Sequence, residues 1–92
     1  MFFFVIEHFK NGDPLPVRER FQDKGRLVPD GVTYVGSWID PKTATCYQVM
    51  EAEARDLIDE WSSRWSDIVD FEIFEVLSSP DYWAAIDEKY PR

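Results

Sequence analysis

Residues Phe2 to Phe9 form an apolar run broken only by Glu7 and His8. Aromatic and β-branched residues dominate it, which is the composition of a strand. Phe2, Phe4, Ile6 and His8 fall on one face, and Phe3, Val5, Glu7 and Phe9 on the other. Both faces are apolar, so both call for cover. Asn11, Gly12, Asp13 and Pro14 make a turn that opens a helix, with Asp13 as cap and Pro14 in the first turn. That helix runs to about Lys24, and Gly25 ends it. Its apolar stripe is thin: Leu15, Val17 and Phe21. After a turn at Pro29, Asp30 and Gly31, a second strand covers Val32 to Ile39. It places Tyr34 and Trp38 on one face and Val35, Ser37 and Ile39 on the other.

A short connection, Asp40 to Thr43, leads into a third strand from Ala44 to Glu51. Cys46, Gln48 and Met50 share one of its faces; Tyr47, Val49 and Glu51 share the other. Glu53 to about Asp67 carries Ala54, Leu57, Ile58, Trp61, Trp65 and Ile68 at helical spacing. Arg55 with Asp59, and Glu60 with Arg64, are opposite charges four residues apart. Val69 to Leu77 is a fourth strand. Ser79 as cap, Pro80 and the acid Asp81 start a closing helix with Trp83, Ile86 and Tyr90 on one stripe.

The order β-α-β-β-α-β is the split βαβ, ferredoxin-like pattern: an α+β fold with a four-stranded antiparallel sheet, here followed by a short C-terminal helix. Right-handed crossovers put both helices on one side of the sheet. The other side is apolar too, and a soluble chain does not leave so large a patch bare. A second copy covering it makes a twofold homodimer, a dimeric α+β barrel. The alternative is a monomer whose closing helix folds over that side.

Length and composition narrow the picture. Ninety-two residues make one domain, spanning 1–92. Apolar residues are 45% and aromatic ones 16%, a globular composition. A net charge of −8 repels phosphate backbones, so no nucleic-acid partner is expected. A single cysteine and a single histidine leave no disulfide framework and no His/Cys-rich zinc site. No stretch reaches the roughly 20 apolar residues of a membrane span, and the N-terminus lacks the pattern of a signal peptide. A cytoplasmic protein without membrane partners is therefore expected. No Gly-rich phosphate loop is present, and no cofactor is expected.

The charge is unevenly spread. Residues 10–26 carry Lys10, Arg18, Arg20, Lys24 and Arg26 and a net +2, while the rest of the chain carries −10. A basic first helix on an acidic body suits the carboxylate of a small substrate, or the acidic second helix of a neighbour. A merely mixed helix surface is the plain alternative. His8 is the candidate acid or base, with a core or interface histidine as the competing reading. Glu7 lies on the opposite face and is either a raised-pKa base or the partner of Arg18, Arg20 or Arg26. Tyr34, Trp38, Cys46 and Gln48, with Trp61 and Trp65, are candidate walls of a pocket for a flat organic molecule, against ordinary core packing. Cys46 reads as a buried small hydrophobe rather than a nucleophile. Asp56, Asp59 and Glu60 alternate with arginines and read as a solvated face.

Several segments resemble a known family: Phe4 to Phe9, Lys24 to Arg26, Pro29 to Tyr34, Ser37 with Trp38, Cys46 to Glu51 and Trp65 to Glu72. The family is an uncharacterised group of bacterial proteins of about ninety residues, similar to the dimeric α+β-barrel superfamily. The resemblance covers most of the chain up to Leu77. It implies the ferredoxin-like fold and a dimer, and no particular activity. The superfamily includes cofactor-free monooxygenases, haem-degrading enzymes and an isomerase. The haem-degrading pattern of an Asn on the first strand with a Trp and a His elsewhere is not met, since Glu7 and His8 stand there and no second histidine exists. Three functions follow as expectations: a small-molecule-binding protein with a pocket between sheet and helices; a cofactor-independent oxygenase or isomerase using His8; and a structural or regulatory dimer without a ligand.

Overall fold

The computed structural model describes residues 1–92. It contains β1 (Phe2–Phe9), α1 (Leu15–Lys24), β2 (Thr33–Asp40), β3 (Thr45–Glu51), α2 (Arg55–Ser63), β4 (Val69–Val76) and α3 (Ser79–Lys89). The strands form one antiparallel sheet in the order β2-β3-β1-β4. This is the ferredoxin-like arrangement, with β1 and β3 central.

Local chemistry explains the element ends. The Asp13 Oδ1 accepts from the Leu15 N–H at 3.0 Å, which starts α1 just after Pro14. Gly25, at φ 70°, ends it. Helix α2 stops at Ser63 rather than at Asp67. The N–H groups of Arg64 and Trp65 reach back three residues, to the carbonyls of Trp61 and Ser62, and wind the chain into turns before β4. The cap of α3 is Ser78, not Ser79; its hydroxyl accepts from the Asp81 N–H at 3.2 Å.

Phe3, Val5, Phe9, Met50 and Val69 on the sheet bury against Ile58, Trp61 and Trp65 on and just beyond α2. This is the one face the two crossover helices can reach. One irregularity changes a face assignment in β2. Tyr34 pairs with Met50 and Gly36 with Val49, so Val35 is an extra residue. A bulge of this kind shifts the two-residue alternation by one step. Tyr34 therefore shares the covered face with Ser37, and its hydroxyl lies 2.7 Å from the Ser37 Oγ. The expectation that Tyr34 and Trp38 share a face is thus corrected: strict alternation assumes no bulge.

The second face of the sheet carries Phe2, Phe4, Ile6, Trp38, Tyr47, Val49 and Phe74 and is not covered within the chain. Trp38 is 66% exposed. Helix α3 does not fold over this face: none of its residues is buried. The radius of gyration is 15.4 Å, whereas a compact chain of this length has roughly 12 Å.

Candidate functional site

The thin stripe of α1 leaves a space that its side chains do not fill. Val17 is the one α1 residue packed on the core, and Phe21 stays largely exposed. Under α1 lies a cavity of about 310 Å³, at the lower end of the range that small-molecule sites occupy. Its floor is the covered face of the sheet: Glu7, Phe9, Ser37, Ile39, Cys46 and Gln48. Helix α1 supplies Pro14, Val17, Arg18 and Phe21, and α2 with the turn after it supplies Trp61 and Trp65. Arg26, from the loop joining α1 to β2, completes the wall.

That loop is pinned from one side. The indole N–H groups of Trp61 and Trp65 both donate to the carbonyl of Arg26, each at 3.0 Å. Arg64 donates to the carbonyl of Leu27 at 2.9 Å. Leu27 sits at φ 61°, a left-handed conformation that costs a non-glycine residue about 1–2 kcal/mol. The three bonds hold the strained turn in place. They aim the Arg26 side chain across the sheet, where its guanidinium lies 3.7 Å from the centroid of the Tyr34 ring and donates to the Gln48 Oε1 at 2.9 Å.

Gln48 is 1% exposed. Its amide oxygen is used by Arg26, which fixes the amide orientation, and its Nε2 has no partner. A buried N–H without an acceptor costs about 1–3 kcal/mol, so this is an energetic debit within the cavity wall. Glu7 and Cys46 stand opposite each other on neighbouring strands. Burial is the main cause that pushes the Glu7 carboxyl above its usual range, partly offset by the Cys46 thiol and by the charge of Arg26. Burial, with Glu7 next to it, pushes the Cys46 thiol up to about 12. Such a thiol is not a nucleophile at neutral pH. No ion pair joins Glu7 to an arginine; Arg20 instead pairs with Asp67, Nη2 to Oδ2 at 2.6 Å.

The candidate residues separate by face. Gln48, Trp61 and Trp65 line the cavity. Tyr34 stands beside it, beneath Arg26. His8 and Trp38 lie on the second face, away from the cavity. His8 Nε2 is 2.7 Å from Glu72 Oε2, and both side chains are about half exposed. Phe9, Ile39, Pro14, Val17 and Phe21 join the wall without having been candidates. The apolar stripe of α1 was the signal for Val17 and Phe21, but a stripe does not say whether a helix sits tight or stands off. No group of three or more His, Cys, Asp or Glu side chains is placed to hold a metal ion. No helix is long and apolar enough to cross a membrane.

Comparison with known proteins agrees with the fold and assigns no activity. No curated protein matches the chain. The crystal structure of SCO4226 from Streptomyces coelicolor A3(2) is similar at a TM-score of 0.57 and 25% identity, over 84% of this chain and 99% of that one. A family model described as a domain of unknown function matches residues 1–90. With the fold and nearly its whole length accounted for, the chain belongs to that family, DUF3303.

Proposed function

We propose that the protein binds a small organic molecule in the cavity between α1 and the sheet, and does so as a homodimer. The observation that carries the first part is Gln48, a fully buried amide in the cavity wall with an unsatisfied Nε2. Ordinary core packing removes such groups, whereas a binding site keeps them for a ligand acceptor. Two indoles and Phe9, Phe21 and Ile39 supply apolar walls around it. An enzyme working through His8 requires that residue in the cavity, and the opposite face is the wrong place for it.

The surface area supports the dimer. The chain exposes 6394 Å², against roughly 5,600 Å² for a compact monomer of this mass. The unburied α3 and the second face both contribute to this excess. The second face, with Trp38, Tyr47 and Phe74, is the apolar area available for the dimer. Symmetry then requires only one self-complementary patch.

Native mass spectrometry on protein purified from cells tests both parts together. The expected result is a dimer that carries additional non-covalent mass, lost on denaturation. A monomer at every concentration overturns the dimer. A protein that neither retains nor takes up any small molecule from a metabolite extract overturns the binding function.

A further inference from the structure

Resting on that reading, we infer that the ligand is a small organic anion: a carboxylate on an apolar body of one or two rings, its charge met by Arg18 and Arg26 and one acceptor by the Gln48 Nε2. In a chain of net charge −8, acidic partners are plentiful. Arg20, Arg55 and Arg64 each have a carboxylate within 4.0 Å. Arg18, Arg26 and the C-terminal Arg92 have none, and Arg18 and Arg26 are the two arginines that line the cavity. No carboxylate forms an ion pair with either.

The surroundings of the pair favour an anion rather than a neutral guest. Glu7 is the single carboxyl in the wall, and burial drives it toward its neutral form. It makes no ion pair with either arginine. Arg26 is half-buried, stacked on Tyr34 and bonded to Gln48. A guanidinium held in this way loses little freedom when it binds a planar carboxylate. Arg18, exposed on α1, stands where an incoming anion first meets the site. The Gln48 Nε2 is closed off and without an acceptor, so a ligand that displaces the wall to reach it must supply one, and carboxylate oxygens are acceptors alone. The remaining wall, built from Phe9, Phe21, Ile39, Trp61 and Trp65, fits an apolar ring. The volume of about 310 Å³ limits the body to one or two rings.

The test uses the full chain and four probes: benzoate, 2-naphthoate and their two neutral carboxamides. Affinity is read by calorimetry, and site occupancy by the NMR signals of the Trp61 and Trp65 indole N–H groups. The carboxylates are expected to bind at least about tenfold tighter than the carboxamides, the worth of one charge-assisted hydrogen bond. Arg18→Gln, on an exposed position that folding does not need, is expected to remove most of that preference. Arg26→Gln is expected to remove it entirely. Equal binding of acids and amides, or a preference untouched by both substitutions, overturns the anion while the small-molecule pocket stands. If none of the four shifts the two indole signals, the pocket and the anion fall together.

Discussion

The two faces of one sheet carry nearly the same kind of side chain and end in different surroundings. Phe3, Val5 and Phe9 on β1 are buried, while Phe2, Phe4 and Ile6 on the same strand are only partly so. Hydrophobicity is alike in the two sets, so it does not decide burial. Connectivity does: both crossover helices land on one side, and the chain has nothing left for the other, since α3 buries none of its residues. Polar chemistry is divided too. The covered face buries Glu7, Cys46 and Gln48 in the cavity wall. The second face buries Thr45 alone and keeps its other polar groups at the water's edge, as in the His8 pair with Glu72 and the Lys10 pair with Asp70. Buried polar groups cost stability unless something offsets them. Most of them lie on the face that carries the cavity.

The largest effect that can break this contrast is a tryptophan removed from each side. Trp61→Ala deletes a side chain that is 1% exposed and is expected to cost about 3–5 kcal/mol. In a domain of this size, that leaves a substantial unfolded fraction by urea titration. Trp38→Ala is expected to change the monomer's stability by no more than about 0.5 kcal/mol. Its effect should appear in sedimentation, as a dimer that dissociates at higher protein concentration. Equal, concentration-independent losses from both substitutions would remove the distinction between core and interface.

A smaller effect sharpens the polar half of the contrast. The folded state holds the Glu7 proton that the unfolded chain releases above its ordinary value of 4.5. Stability should therefore fall as pH rises from there through the raised folded value. Glu7→Gln is expected to flatten that decline, as seen in melting temperature between pH 4 and pH 8. Cys46 acts in the same direction at higher pH, with stability lost between its ordinary 9.0 and about 12. Iodoacetamide at pH 8 should label it only as fast as the protein unfolds.

The smallest expected effect lies at the rim. The Arg20 guanidinium holds the Asp67 carboxyl down at about 2. Asp67 contributes stability above its ordinary 3.8, and that contribution is lost as pH falls through about 2. Arg20→Gln should change the melting temperature little at pH 7, because exposed pairs are weak there. It should flatten the acid limb between pH 4 and pH 2. A large loss at pH 7 would mean that Arg20 acts through its packing on the Trp65 ring rather than through charge.

Much of the fold was legible because strand and helix periods differ so clearly. The limits of β1 follow from its apolar run, and α2 from the stripe Ile58, Trp61 and Trp65. Alternation alone also put Glu7 and His8 on opposite faces. It could not say which face the helices would cover, since both are apolar. The site depended on details that periodicity does not encode. An extra residue at Val35 moved Tyr34 to the covered face. Turns after Ser63, rather than continued helix, set where Trp65 delivers its indole. The cavity exists because α1 stands away from the sheet. Its stripe of Leu15, Val17 and Phe21 hinted at this, but spacing between layers is a property of the assembled molecule.

Arg26 carries two duties on separate atoms. Its main-chain carbonyl tethers the loop to Trp61 and Trp65, while its side chain reaches toward Gln48 and the cavity. A carbonyl is common to every amino acid, so no substitution at position 26 deletes the tether. Descendants of this sequence are thus free to alter the charge and reach of that side chain, and with it the choice of ligand, while the loop remains moored.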